Sequence, residues 1–205
     1  MIEKLVIASN NAGKLREIGQ ILAPLRIEVV PQSRFQVPEA EEPFETFVEN
    51  ALAKARHAAR HTGLPALADD SGICVAALGG APGVHSARFA GEPRSDQRNN
   101  DRLLELLAPQ ADRRAHYYCV MVLMRHAADP QPMIAQAEWH GEILRAPRGA
   151  GGFGYDPLFL DPALGRTGAE LDPEHKNRIS HRGRALAELA RQLERQALGG
   201  AGPGN

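Results

Sequence analysis

The run Tyr117-Tyr118-Cys119-Val120-Met121-Val122-Leu123-Met124 is apolar on both of its alternating faces. A strand of that kind belongs at the centre of a sheet covered on each side, and at 205 residues the chain is long enough for one sizeable α/β domain with a full core. Its neighbours supply the parts. Leu5-Val6-Ile7-Ala8 reads as a short strand that ends in Ser9-Asn10-Asn11-Ala12-Gly13, after which Leu15, Ile18 and Leu22 recur at helical spacing. A second strand is expected over Arg26 to Val30, followed by an acidic, proline-punctuated stretch from Val37 to Pro43. The strongest helical stripe is Phe44, Phe47, Val48, Ala51, Leu52, Ala55, Ala58 and Ala59, with Gly63 as its C-cap and Glu45, Glu49, Lys54 and Arg56 on the polar face.

Pro65 to Ala68 predicts a strand that gives way to a polar turn, Asp69-Asp70-Ser71-Gly72, and Ile73 to Leu78 fits either strand or helix. The loop Gly79-Gly80-Ala81-Pro82-Gly83 leads towards a helix around Asn99 to Leu107. Asp129-Pro130-Gln131-Pro132 turns the chain from the central strand into a second run, Met133 to Leu144, as an antiparallel hairpin. Gly149 to Pro157 is glycine-dense and precedes a brief strand, Leu158-Phe159-Leu160. Asp172-Pro173 is a good N-cap and first-turn pair for a short helix through Lys176, and a last helix starts near Ser180-His181-Arg182 with Leu186, Leu189, Ala190 and Leu193 on its apolar face. The reading is one domain over residues 1–198 and a disordered glycine-rich tail over 199–205.

Charge and cysteine usage narrow the function. With 24 basic and 25 acidic residues the net charge is −1, so no global field recruits DNA, RNA or an anionic membrane, and an anionic ligand must be held by local groups. No apolar run approaches the roughly 20 residues of a membrane span, and the start of the chain lacks a signal-peptide core. Cys74 and Cys119 stand apart, as in a reducing compartment, and a cytoplasmic location is expected. The scattered histidines offer no zinc spacing.

Four places can carry chemistry. The turn Asn10-Asn11-Ala12-Gly13-Lys14, between a strand and a helix, presents free amides and a lysine to an anion; it is not a Walker A loop, because Leu15 stands where Ser or Thr would hold a metal. An ordinary βα turn with a surface lysine has the same spacing. Asp69 and Asp70 repel one another unless a cation or strong donors compensate, and Mg²⁺ is the usual compensation in nucleotide chemistry, with Glu41 or Glu42 as a further ligand. As bare sequence, Asp-Ser-Gly is also common turn composition. Gly149-Ala150-Gly151-Gly152-Phe153-Gly154 matches the letters of a dinucleotide fingerprint, but a strand follows it where a helix is needed; what remains is a loop with Phe153 and Tyr155 able to stack on a base or to fill the core. Ser180-His181-Arg182, with Lys176 upstream, can grip a phosphate or read a base edge, or can be a capped helix start with surface charge. No Gly-x-Ser-x-Gly elbow exists to raise a nucleophilic serine.

In this order, Ser9-Asn10-Asn11-Ala12-Gly13-Lys14, Phe47-Val48-Glu49-Asn50-Ala51, Ala68-Asp69-Asp70-Ser71-Gly72, Gly79-Gly80-Ala81-Pro82-Gly83, Gly151-Gly152-Phe153-Gly154-Tyr155-Asp156-Pro157 and Ile179-Ser180-His181-Arg182-Gly183 closely resemble the inosine triphosphate pyrophosphatase family. The resemblance runs from about residue 5 to residue 195. It implies an elongated mixed sheet flanked by helices in two lobes, an active site in the cleft between them, and a homodimer. It also implies Mg²⁺-dependent hydrolysis of ITP, dITP and XTP to the monophosphate and pyrophosphate. Carried over by position, Asp70 is the general base and a metal contact, with Asp69, Glu41 and Glu42 as further metal candidates. Ser9, Asn10, Asn11, Ala12, Gly13 and Lys14 face the triphosphate, Lys54 is a further substrate contact, Ser71 lies against the substrate, Phe153, Gly154, Tyr155 and Asp156 hold the base, and Lys176, His181 and Arg182 complete the base and phosphate contacts.

Overall fold

The computed structural model describes residues 2–199. The glycine-rich tail for which disorder is expected lies, beyond Gly199, outside the described residues. Seven strands form one mixed sheet flanked by helices. In chain order they are β1 (Lys4–Ile7), β2 (Glu28–Pro31), β3 (Ala66–Val75), β4 (Arg114–Met124), β5 (Met133–Ile143), β6 (Phe159–Asp161) and β7 (Arg166–Thr167), and their order in the sheet is β2-β1-β3-β4-β5-β6-β7. The helices are α1 (Ala12–Leu22), α2 (Phe47–Thr62), α3 (Asp96–Leu107), α4 (Pro173–Ile179) and α5 (His181–Gly199). β1 pairs parallel with β2 and β3, whereas β5-β6 and β6-β7 are antiparallel.

The described chain groups into two compact units. One gathers the segments up to Asp70, Val120–Gln136 and those from Gly183 on; the other gathers Ser71–Cys119 and Ala137–Arg182. In the first, Leu5, Val6 and Ile7 of β1 are buried with Ile18 and Leu22 of α1 and with Ala51, Ala55 and Ala58 of α2. The alanine stripe leaves little side chain between α2 and β1, so the helix lies close against the strand. Full burial of an Ile or Leu such as Ile18 or Leu22 contributes ~1.5–3 kcal/mol, which fixes α1 on the sheet. In the second unit Ile73, Leu103, Leu107, Trp139, Tyr155 and Phe159 belong to one core cluster.

Helix α2 starts later than the apolar stripe implies. Thr46 caps it by accepting from Glu49 N (3.4 Å) while donating to Glu49 Oε2 (2.5 Å). Phe44 therefore lies before the helix, and both it and Val48 are exposed. Gly63 ends the helix at φ +67°, the left-handed conformation that a C-cap requires. The second strand also sits two residues later than expected, because Arg26 adopts φ 55° and breaks extended pairing there.

The largest correction concerns the acidic segment. Asp69-Asp70-Ser71-Gly72 is not a turn but the middle of β3, which runs unbroken to Val75. Two things allow a polar tetrad to stay extended and buried. Each aspartate has a lysine partner, and Gly72 lets neighbouring backbone close in, since a Cβ there would lie 2.2 Å from the Gly83 carbonyl oxygen. Ser86 Oγ then accepts from Ile73 N at 2.9 Å.

Strand β4 meets the expectation of two-sided cover from Cys119 to Met124, where every residue is buried; before that, from Arg114 to Tyr118, cover alternates. Ile143 at the end of β5 donates to the Arg113 carbonyl beside the start of β4 (2.9 Å), as an antiparallel hairpin requires. Asp129 closes the connecting turn by accepting from Arg125 N, Arg125 Nε, Arg125 Nη2 and Gln131 N. Helix α3 begins at Asp96 under a Ser95 cap, earlier than Asn99. β7 has no counterpart in the sequence expectation. No helix among the described residues is long and apolar enough to cross a membrane.

Candidate functional site

In the first unit, β1 delivers the chain to the N-terminus of α1. Ser9 Oγ accepts from Asn11 N (3.1 Å), and Asn11 Oδ1 caps the helix through Lys14 N (3.0 Å). Capping uses one of the first-turn amides; Asn10, Asn11 and Ala12 stay exposed, so the others face solvent or an anion. Lys14 reaches Asp69, with Nζ 3.0 Å from Oδ2. Lys54, on the third turn of α2, lies 2.7 Å from Asp70 Oδ1 and 3.2 Å from Glu42 Oε1. Glu42 is thus drawn to the Asp70 group, while its neighbour Glu41 is exposed.

Asn50 organises this corner and is not among the residues expected for the site. Its amide donates to the Phe44 carbonyl (3.0 Å) and accepts from Phe44 N (3.2 Å), which ties the acidic stretch to α2; Nδ2 also lies 3.4 Å from Asp70 Oδ2. Its place in the segment Phe47-Val48-Glu49-Asn50-Ala51 was the signal that could have found it.

Asp70 is only 5 % exposed, and burial raises its pKa above the ordinary 3.8, with Lys54 and Lys14 pulling the other way. For Lys54, burial acts downward, but Asp70, Glu42 and Asp69 outweigh it and hold the ammonium above its usual value. The pair is therefore a charged lysine against a carboxylate of enhanced basicity.

In the second unit Asp156 is the hub. Its Oδ2 lies 2.6 Å from Lys176 Nζ and accepts from Phe153 N (2.9 Å), and its Oδ1 lies 3.4 Å from the Tyr117 hydroxyl. The glycines around it are there to make room. A Cβ on Gly152 would stand 2.2 Å from Asp156 Oδ2, and one on Gly168 would stand 2.8 Å from Oδ1. Burial and the Asp156 charge push the Tyr117 hydroxyl well above its ordinary value, so it stays a donor. The Tyr117 ring stacks on His181, with centroids 4.6 Å apart and planes 5° from parallel.

Phe153 is half-buried, with Lys176 Nζ 4.6 Å and Arg182 Cζ 5.6 Å from its ring centroid, and Arg182 Nη2 donates to Ser71 Oγ (2.7 Å). Of the two aromatics in the loop, only Phe153 is placed as a platform. Tyr155 lies in the core, its hydroxyl donating to the Ser86 carbonyl at 2.8 Å. Tyr117 carries no sequence signal of a site role, because its context reads simply as strand.

A family model described as the Ham1 family matches residues 5–192. The chain belongs to the Ham1 family. A protein of Nitrosomonas europaea named dITP/XTP pyrophosphatase is 68 % identical over 192 residues, covering 94 % of this chain and 95 % of its own length. One of the same name from Aromatoleum aromaticum is 66 % identical and covers 97 % of this chain and all of its own length. Among solved structures, a HAM1 protein from Coxiella burnetii is similar to this chain with a TM-score of 0.89 at 52 % identity, covering 95 % of this chain and 100 % of that one. A Ham1 protein of Staphylococcus aureus has a TM-score of 0.84 at 40 % identity, covering 94 % and 99 %. Within the Ham1 family the mixed sheet and flanking helices described above are therefore a shared framework.

Proposed function

We infer that this protein hydrolyses deaminated purine nucleoside triphosphates, dITP and XTP together with ITP, to the monophosphate and pyrophosphate. The observation that carries the chemistry is the Asp70–Lys54–Glu42 group, with Asp70 and Lys54 buried, beside the amides and lysine at the start of α1. Relatives of 66–68 % identity bearing the name dITP/XTP pyrophosphatase support the substrate class.

In this reading Asp70 takes the proton from the water that attacks the α-phosphorus, a task suited to a carboxylate whose basicity burial has raised. Lys54 holds Asp70 in place and keeps positive charge beside it. Lys14 and the first-turn amides of α1 receive the departing pyrophosphate, as helix N-termini receive anions generally. The donor set fits a magnesium ion, because the oxygens of Asp70 and Glu42 already share one cation, Lys54. Two carboxylates with water and substrate phosphate match the way Mg²⁺ is held in nucleotide enzymes. When bound there, it would supply charge neutralisation for the phosphates. Phe153 receives the purine face, and Lys176 and Arg182 keep cationic donors against that ring. A site that donates to O6 disfavours an adenine amino group, and one without an acceptor for the guanine 2-amino group leaves that donor unpaired.

The proposal extends to a cytoplasmic homodimer without a nucleic-acid partner, in keeping with a net charge of −1. Pyrophosphate and phosphate release measured across ITP, dITP, XTP, ATP and GTP, with and without Mg²⁺, tests the reading. Pyrophosphate release is expected to be far faster from the first three than from ATP or GTP. Equal rates on all five would make it a general nucleotide pyrophosphatase, and tight binding without turnover would make it a regulatory nucleotide-binding module. Asp70→Asn is expected to lower kcat by about 10²–10⁴, the usual contribution of a general base.

A further inference from the structure

Two side chains on α3 hold the peptide that follows Phe153. Asp96 Oδ2 accepts from Gly154 N at 2.6 Å, and Asn100 Nδ2 donates to the Gly154 carbonyl at 3.0 Å. Asp96 and Asn100 are one helical turn apart, so a single face of α3 meets both the donor and the acceptor of one residue. That residue needs outside support. Gly154 has φ +61°, lies in a glycine-dense loop and has open space where a Cβ would stand, so neither side-chain packing nor intrinsic preference fixes it. On its other flank Phe153 N is held by Asp156 Oδ2. Backbone on both sides of the Phe153 ring is thereby tied, to Asp156 before it and to α3 after it.

We propose that Asp96 and Asn100 are positioning residues for the purine subsite: by clamping Gly154 they hold the Phe153 ring where it can stack on a base. The inference rests on the reading that Phe153 receives the purine. The clamp is polarised by design of its two ends. Asp96 can only accept and faces an N–H, and the Asn100 amide presents its NH₂ to the carbonyl, so each side chain matches the end of Gly154 that it meets.

The clamp is tested on the intact chain in two measurements: hydrogen exchange at the Gly154 amide without nucleotide, and KM and kcat for ITP with pyrophosphate readout. Asp96→Ala is expected to speed Gly154 exchange and to raise KM about five- to tenfold, the scale of one or two hydrogen bonds lost, with kcat within about twofold. Asp96→Asn keeps an acceptor and should rescue most of both effects. Asn100→Asp sets a carboxylate against the Gly154 carbonyl and should be worse than Asn100→Leu, which keeps the branching at Cγ but neither donates nor accepts. Unchanged Gly154 exchange in Asp96→Ala overturns the clamp. So does a fall in kcat along with the rise in KM, with lowered thermal stability and no rescue by Asn, the pattern of a purely structural role. If exchange rises but KM does not, Phe153→Ala decides which idea fails: a raised KM in that variant leaves the purine reading standing and sinks the clamp, and an unchanged KM sinks the purine reading and the clamp with it.

Discussion

At the scale of single residues, the site depends on carboxylates whose partners differ. Asp70 combines burial, which raises its pKa, with Lys54 and Lys14, which lower it. The acid limb of kcat/KM should then fall above the ordinary carboxylate value of 3.8, because the base must be ionised to work. Lys54→Met removes the largest opposing charge, so a pH–rate profile of that variant should show the limb displaced further upward; a limb that stays put or moves down would remove Asp70 from the base role. Asp129 is the converse case. Its side chain is fully buried, 2.6 Å from the half-exposed Arg125 guanidinium, and hydrogen bonds from Arg125 and Gln131 hold its pKa well below 3.8. A depressed folded-state pKa gives stability that is present above the unfolded value and is lost as pH falls below it. Asp129→Ala should lower stability by ~2 kcal/mol at neutral pH, or about 4–8 °C in Tm for a chain of this size, and should flatten the acid side of the stability curve. Thermal melts of both proteins between neutral and acid pH check it.

At the scale of elements, β3 decides how the aspartates are displayed, and Gly72 decides whether β3 can stay extended. A methyl group there would meet Gly83 backbone at 2.2 Å and Ser86 Oγ at 2.4 Å. Gly72→Ala should therefore push the Gly83–Arg88 segment away, break the Ser86 Oγ bond to Ile73 N and give a chain with lowered Tm and little activity; a variant with wild-type melting and turnover would show that this packing is dispensable. The same strand shows what sequence can and cannot reveal. Apolar periodicity located β1, α1, α2, β4, β5 and α5, because those elements are held by ordinary burial of Leu, Ile, Val and Ala. It misread Asp69 to Gly72 as a turn, because local composition cannot display the lysines, distant in the chain, that neutralise a buried strand. The glycine-dense loop was legible as unusual but not for the right reason: Gly152 gives way to the Asp156 carboxylate, as does Gly168 from outside the loop, a packing demand that composition alone does not display. Glu41 and Glu42 were equivalent as letters, and the reach of Lys54 to Glu42 separates them. Asp96, Asn100 and Tyr117 carried no motif of their own.

At the scale of the whole molecule, the candidate site residues fall into two sets that hydrogen-bond and pair among themselves. Lys14, Glu42, Asn50, Lys54, Asp69 and Asp70 form one, built on α1, α2 and β3. Ser71, Tyr117, Phe153, Asp156, Lys176, His181 and Arg182 form the other. If the first set acts on phosphates, which every nucleoside triphosphate shares, its loss should slow all substrates alike. If the second reads the purine, its loss should fall on discrimination. Lys54→Met is accordingly expected to lower kcat/KM for ITP and GTP by the same factor, so that their ratio stays within about twofold. Lys176→Met leaves Asp156 without its ammonium and takes a cation from the Phe153 ring, and should cut the ITP-to-GTP ratio by about tenfold or more, since one buried polar group left unpaired costs about 1–3 kcal/mol and a tenfold change is 1.4 kcal/mol. Steady-state kinetics of the two variants on both nucleotides provide the comparison. Discrimination that collapses in Lys54→Met, or survives intact in Lys176→Met, would mean that recognition and chemistry are not divided along these two sets of residues, and that the purine is read through its phosphates' environment instead.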